Sequence, residues 1–157
     1  LPAGEFFGEV IERWRLLRPA LRLQAKGLDA VSTPIRPEPL LEHLLLALLN
    51  NAADASVEAG EERIEVALAL RSDTLQLEVR DHGPGMDSAA ARRLQALFET
   101  TKPQGLGLGL ALSHATVEHF GGQLALRPHP QGGSVVEVQL PLAALVESAT
   151  VMGGANA

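Results

Sequence analysis

Apolar and polar positions follow two periods along the chain, and the points where the period changes divide it into elements. Phe6 to Leu17 repeats its apolar residues at helical spacing, which predicts an amphipathic helix. It should stop at Arg18-Pro19, because a proline disfavours helical backbone in the residue before it. Leu21 to Ala25 alternates as a short strand, and the proline-rich stretch Asp29 to Pro39 predicts a loop. Pro39 suits the first position of a long helix reaching about Glu58, since its missing N–H would have no partner there, and Gly60 marks the stop. Ile64, Val66, Leu68 and Leu70 then alternate with other residues. Ser72-Asp73 turns the chain, and Leu75, Leu77 and Val79 resume the alternation, so the two strands predict a hairpin.

Asp81 to Met86 breaks both periods and predicts a loop, followed by a short helix around Ala89 to Leu97. Glu99 to Gly109 is rich in glycine and threonine and leads into a helix reaching Phe120, with Gly121-Gly122 as its C-cap. Gln123 to Arg127 and Ser134 to Leu140 predict a second strand pair, joined by a turn at Pro130 to Gly133. Residues after Leu145 have little to pack, so the expected domain is 1–145, with a core at 39–142 and a frayed tail at 146–157. Strand pairs separated by helices predict an α+β fold: a sandwich with helices on one face of a mixed sheet.

Composition narrows the function classes. A chain of 157 residues, 46% hydrophobic and 20% charged, fits one soluble globular domain. The net charge of -6, with no run of Lys or Arg, argues against nucleic acid as a partner. No cysteine is present, which excludes disulfides and thiolate metal sites. The apolar run Leu44 to Leu49 is too short to cross a bilayer, so any membrane attachment is expected from upstream segments. The chain opens with neither Met nor a signal peptide, and is expected to be an excised piece of a longer protein.

Three segments carry candidate chemistry. His43, Ala47, Asn51, Asp54 and Glu58 share one face of the long helix. The face is either a solvated polar stripe or, through the amide oxygen of Asn51, a ligand for Mg²⁺, a hard ion that favours oxygen. In Asp81-His82-Gly83-Pro84-Gly85-Met86, Asp81 is in phase with Leu75, Leu77 and Val79 and should point into the core. A carboxylate there needs hydrogen-bond donors. They are either the amides of a tight turn or the exocyclic amino group of an adenine, with glycines admitting the flat base and Met86 packing on it. Finally, Gly105-Leu106-Gly107-Leu108-Gly109-Leu110 runs into a helix, and amides at such a start favour anions. Thr100, Thr101 and Lys102 beside it add hydroxyls and a charge suited to phosphate. No Gly-Lys-Ser/Thr closes this loop, so it is not a Walker motif.

In this order, Leu44 to Ala52 resembles the N box, Asp81 to Met86 the G1 box, and Gly105 to Leu110 the G2 box of the histidine-kinase ATPase (GHKL) family. Leu97 to Pro103 resembles the F box and lid of the kinases, with Phe98 as its aromatic. The resemblance implies a Bergerat α/β sandwich with a mixed, mostly antiparallel sheet, and ATP held under a mobile lid between Met86 and Gly105. It implies Asn51 as the Mg²⁺ ligand, with Asp54 beside it on the nucleotide face, and Asp81 on the adenine amino group. Gly83 and Gly85 would line the base pocket, and Gly105, Leu106, Gly107, Leu108, Gly109 and Leu110 would close over the phosphates. Thr100, Thr101 and Lys102 would act from the lid, with Asn51 and Lys102 carrying the transfer.

Ala47 stands where gyrase-like ATPases have a glutamate base, which favours phosphotransfer over fast hydrolysis. The resemblance implies an acceptor histidine on an upstream dimerisation domain, a response regulator beyond it, and a cytoplasmic location in an inner-membrane sensor protein. Phe6-Phe7-Gly8-Glu9-Val10, Arg13-Trp14 and Arg18-Pro19 resemble the opening of this domain in RegB/PrrB/RoxS-type kinases. His43 is the histidine expected nearest the nucleotide; His82, His114, His119 and His129 are expected at the surface or in loops. Competing readings are an ATP-driven switch of the gyrase or MutL type, a degenerate adaptor without nucleotide, and a serine kinase acting on an anti-anti-sigma protein.

Overall fold

A computed structural model describes residues 1–84 and 108–146. Helix α1 (Ala3–Leu17) starts a turn earlier than its apolar period suggests. Its first amides find partners elsewhere: Ala3 N–H donates to Thr33 O and Gly4 N–H to Val31 O, each at 2.8 Å. The expected loop at 29–39 is entered through a 3-10 turn (Leu28–Ala30). Helix α2 (Pro39–Glu58) begins on Pro39, as the sequence predicts.

Strands β1 (Arg22–Lys26), β2 (Arg63–Arg71), β3 (Thr74–Asp81), β4 (Gln123–Pro128) and β5 (Ser134–Pro141) form one sheet in the order β1-β2-β3-β5-β4. β2 and β3 make the expected hairpin, with Leu68 opposite Leu77, turned at Ser72 with φ 55°. β3 and β5 are antiparallel, with Val79 opposite Val136, and so are β4 and β5. Only β1 runs parallel to its neighbour, Leu23 beside Ile64, because α2 intervenes as the crossover. Helix α3 (Leu108–His119) is followed by a turn through Gly121, whose φ of 78° is open to glycine, with Gly122 N–H closing onto Val117 O at 2.9 Å.

Strict alternation in β2 and β3 sends Ile64, Val66, Leu68, Leu75, Leu77 and Val79 to one face, where all are buried. Helix α2 packs on those strands and is flanked by α1 and α3. That sandwiching explains why Leu41, Leu44, Leu45, Leu48 and Leu49 are all buried. Each such side chain contributes about 1.5–3 kcal/mol relative to exposure. Phe7, Ile11 and Trp14 carry the core out under α1. The expected architecture, helices on one face of a mixed sheet, holds. Leu145 is fully buried, and Arg36 ties down Leu145 and Val146 by donating its N–H to Leu145 O and its Nη1 to Val146 O.

Candidate functional site

Asp81 ends β3 on the core face and is only 7% exposed. One carboxylate oxygen, Oδ1, accepts the N–H of Gly83 at 2.9 Å and that of Ser134 at 3.1 Å. The amide-capping role therefore exists, yet it occupies one oxygen; Oδ2 has no partner among the described residues and remains available to a donor such as an exocyclic amine. Burial pushes the Asp81 carboxyl above its usual range. The bonds from Gly83 and Ser134 and the charges of His82 and Arg80 pull it down without cancelling that rise.

The turn after Asp81 is pressed onto α2. His82 N–H donates to the fully buried Ser56 Oγ at 2.9 Å. A Cβ on Gly83 would fall 2.6 Å from Ala55 O, so the backbone approaches the helix more closely than any other residue allows. From the other side, a Cβ on Gly133 would fall 2.0 Å from Asp81 O. Two glycines far apart in sequence thus let chain segments close around one carboxylate.

Asn51 lies on α2 four residues before Ala55, hence on the same stripe and about 6 Å along the axis. It is half-buried, and its amide has no hydrogen-bond partner among the described residues. The helix therefore brings Asn51 to the neighbourhood of the Asp81 turn. Helix α3 packs along α2, and its described part begins at Leu108, directly after the glycine-rich segment in the sequence. Leu110 itself is buried, 5% exposed. No cluster of three or more His, Asp or Glu among the described residues could hold a metal. The donor set fits Mg²⁺ nonetheless, since that ion is commonly held by one or two protein oxygens plus substrate phosphates.

Asp54 is exposed and engaged elsewhere: its Oδ1 accepts from Arg18 Nη1 at 3.2 Å. His43 is exposed, and Ala47 is half-buried without a carboxylate near its position on the stripe. His82 falls in the loop after β3, as the sequence predicts, but its ring is held by a partner. Its ring is 9% exposed on the opposite face of the sheet, 2.8 Å from Glu65, with Arg80 Nη1 3.7 Å from the same carboxylate. Burial alone would raise Glu65; the His82 hydrogen bond and the charges of Arg80, His82 and Lys26 outweigh it and hold the carboxyl below its usual range. His114 is likewise part-buried, 3.8 Å from Glu118.

Gly85, Met86, Phe98, Thr100, Thr101, Lys102, Gly105, Leu106 and Gly107 lie outside the described residues, as do the helix expected at 89–97 and the tail from 147. Sequence reasoning missed Ser56, although a lone serine on the apolar stripe of Leu45, Leu49 and Ala52 was a signal. It also missed Gly133, which read as part of an ordinary turn, and Ser134, which read only as the start of a strand. A groove of about 740 Å³ runs along α1 between Glu5, Gly8, Leu28 and Val31; no residue of the segments resembling the N, G1 or G2 boxes lines it.

Residues 37–144 match the family described as histidine kinase-, DNA gyrase B- and HSP90-like ATPase. The chain is 41% identical over 123 residues to sensor protein KdpD of Rathayibacter rathayi, covering 74% of this chain and 14% of that protein. It is 45% identical over 98 residues to sensor protein kinase FleS of Pseudomonas aeruginosa, covering 62% of this chain and 24% of that protein. It therefore spans less than a quarter of the length of either relative. Among solved structures, the catalytic domain of histidine kinase ThkA superposes with a TM-score of 0.70 at 16% identity, covering 90% of this chain and 94% of that one. Mycobacterial sensor histidine kinase MprB gives 0.65 at 24% identity, covering 90% and 95%. The chain belongs to the histidine kinase-, DNA gyrase B- and HSP90-like ATPase family, sharing its fold with the catalytic domains of histidine kinases and its sequence with sensor kinases.

Proposed function

We propose that this domain binds Mg·ATP and transfers the γ-phosphate to a histidine on a separate dimerisation domain upstream in the same protein, from which a response regulator takes it. The carrying observation is the buried Asp81, with one oxygen fixed by two amides and the other free among the described residues, beside the Asn51 amide, which is likewise unpaired among them. Asp81 selects the adenine amino group, and Asn51 holds the metal. Mg²⁺, when bound, neutralises charge on the triphosphate.

The chain's own work is alignment. Asn51 fixes the phosphates relative to the base, amides at the start of α3 and the Gly105–Gly109 segment receive the phosphate oxygens, and Lys102, Thr101 and Thr100 close the site. Gly85, Met86 and Phe98 complete the base pocket. Half-buried Ala47 offers no base to activate water, which supports phosphotransfer over an ATP-driven switch. The whole protein is proposed to be an inner-membrane sensor with this domain in the cytoplasm.

The test is to supply a dimerisation domain and follow phosphohistidine formation by Asn51→Ala and Asn51→Asp. Both variants should lose Mg·ATP-dependent transfer. Undiminished transfer by both removes the metal assignment, and rapid acceptor-free hydrolysis by the parent chain would favour the switch.

A further inference from the structure

Helix α1 lies outside the segment that matches the ATPase family, yet it grips the helix that carries Asn51. Arg13 Nη2 meets Glu42 at 2.8 Å. The fully buried Trp14 donates its indole N–H to Asn50 Oδ1 at 2.9 Å. Arg18 Nη1 reaches the same oxygen at 3.5 Å and Asp54 Oδ1 at 3.2 Å. Glu42, Asn50 and Asp54 are spaced by eight and then four residues, so they form one stripe along α2, about 18 Å long.

That stripe flanks Asn51. Successive helical residues are about 100° apart, so Asn50 stands one step to the side of Asn51 and Asp54 about 60° from it in the same sense. With side-chain tips about 6 Å from the axis, a rotation of α2 by about 20° would sweep the Asn51 amide by about 2 Å. This is the whole length of a Mg–oxygen bond, about 2.0–2.1 Å. The aim of Asn51 is therefore sensitive to the rotation that α1 holds. Pro19, directly after Arg18, ends the helix there and leaves the guanidinium at its tip, 28% exposed.

We infer that Trp14 and Arg18 are positioning residues for the Mg-nucleotide site, which set the rotation of α2 through Asn50 and Asp54 and thereby aim Asn51. The inference rests on the assignment of Asn51 as metal ligand. It also gives any segment that displaces α1 a route to nucleotide affinity, without contact with the nucleotide.

The experiment titrates the 157-residue chain with the non-hydrolysable analogue AMP-PNP, in excess Mg²⁺ and in EDTA, with a thermal melt on each variant. Arg18→Met should weaken Mg-dependent affinity by about three-fold, and Trp14→Phe with Arg18→Met by about ten-fold, the scale of a surface ion pair and of an added part-buried hydrogen bond. Affinity in EDTA should change by less than about two-fold, because adenine binding at Asp81 does not depend on the aim of Asn51. Arg18→Met alone retains the stem and the Trp14 contact, so it remains informative if the double variant fails to fold.

In an Asn51→Ala background the Arg18→Met effect should vanish, since the two changes act in series. An effect that persists there overturns the inference, as does equal weakening with and without Mg²⁺ or no weakening at all. If Asn51→Ala by itself leaves the Mg²⁺ dependence intact, the metal assignment has failed, and the positioning role falls with it.

Discussion

Replacing Asp81 by Asn separates what the side chain does for the fold from what it does for a ligand. The carboxamide oxygen can still accept the N–H groups of Gly83 and Ser134, which lie 2.9 and 3.1 Å from Oδ1 in the parent. The other oxygen becomes an NH₂, which presents a donor to the adenine amino group, itself a donor. One hydrogen bond is lost and two donors face each other, so the expected cost is about 1–3 kcal/mol, or about 5- to 150-fold in nucleotide affinity. Stability should move little, within about 1 kcal/mol at neutral pH.

Its pH dependence has a definite sign. The folded-state pKa of Asp81 is raised by burial, so the stability this residue contributes is fully present below the unfolded pKa and is lost as pH rises through the folded one. The substituted carboxamide does not ionise, so the variant gains on the parent across that window and the difference levels off above it. Isothermal titration with Mg·AMP-PNP and urea melts over an acid-to-neutral series would measure both. An inosine triphosphate titration adds a specificity check, because its ring carbonyl accepts where adenine donates and should suit the variant better than the parent. Asp81→Asn binding the adenine nucleotide within about two-fold of the parent would refute the assignment of that oxygen to the base.

Three further changes probe the surroundings of Asp81. Gly83→Ala must displace either the turn or Ala55, whose carbonyl oxygen, carbon and Cβ would lie 2.6, 2.8 and 2.9 Å from the new methyl. It should cost about 1–3 kcal/mol in a urea melt and reduce nucleotide affinity, and an unchanged midpoint would contradict the close approach. Ser56→Ala removes the acceptor of the His82 N–H and should cost about 1–2 kcal/mol; a loss within experimental error would show that the amide finds another partner. Glu65→Gln discharges a carboxyl held below its usual range, whose stability contribution is present above the unfolded pKa and lost as pH falls through the folded one. Parent and variant stabilities should therefore converge on acidification, and a gap that widened in acid would reverse the reasoning.

The parts of this fold that were readable in advance are those specified by local chemistry. Pro39 fixes the start of α2, and unbroken alternation on both sides of Ser72-Asp73 specifies the β2–β3 hairpin. The core-facing phase of Asp81 followed from counting back along β3. Contacts between distant segments were not readable. The first turn of α1 has no apolar period and is capped by carbonyls of residues 31 and 33; the parallel partnership of β1 and β2 leaves no mark in either strand. The ring of His82 looked like part of a turn because its partner Glu65 sits on another strand, 17 residues earlier. Asp54 shares a helical face with Asn51, but which neighbour it meets depended on Arg18, 36 residues away.

The closeness of Gly133 to Asp81 bears on how this chain tolerates change. Gln131 is exposed, and nothing lies within 4 Å of where a Cβ on Gly132 would point, so the tip of the β4–β5 turn is a candidate acceptor for a grafted epitope or reporter peptide. One step further on, the tolerance ends. An insertion between Gly133 and Ser134 would draw the Ser134 amide away from the carboxylate and detach a donor from Asp81, on a stretch of chain with no sign of the nucleotide in its own sequence.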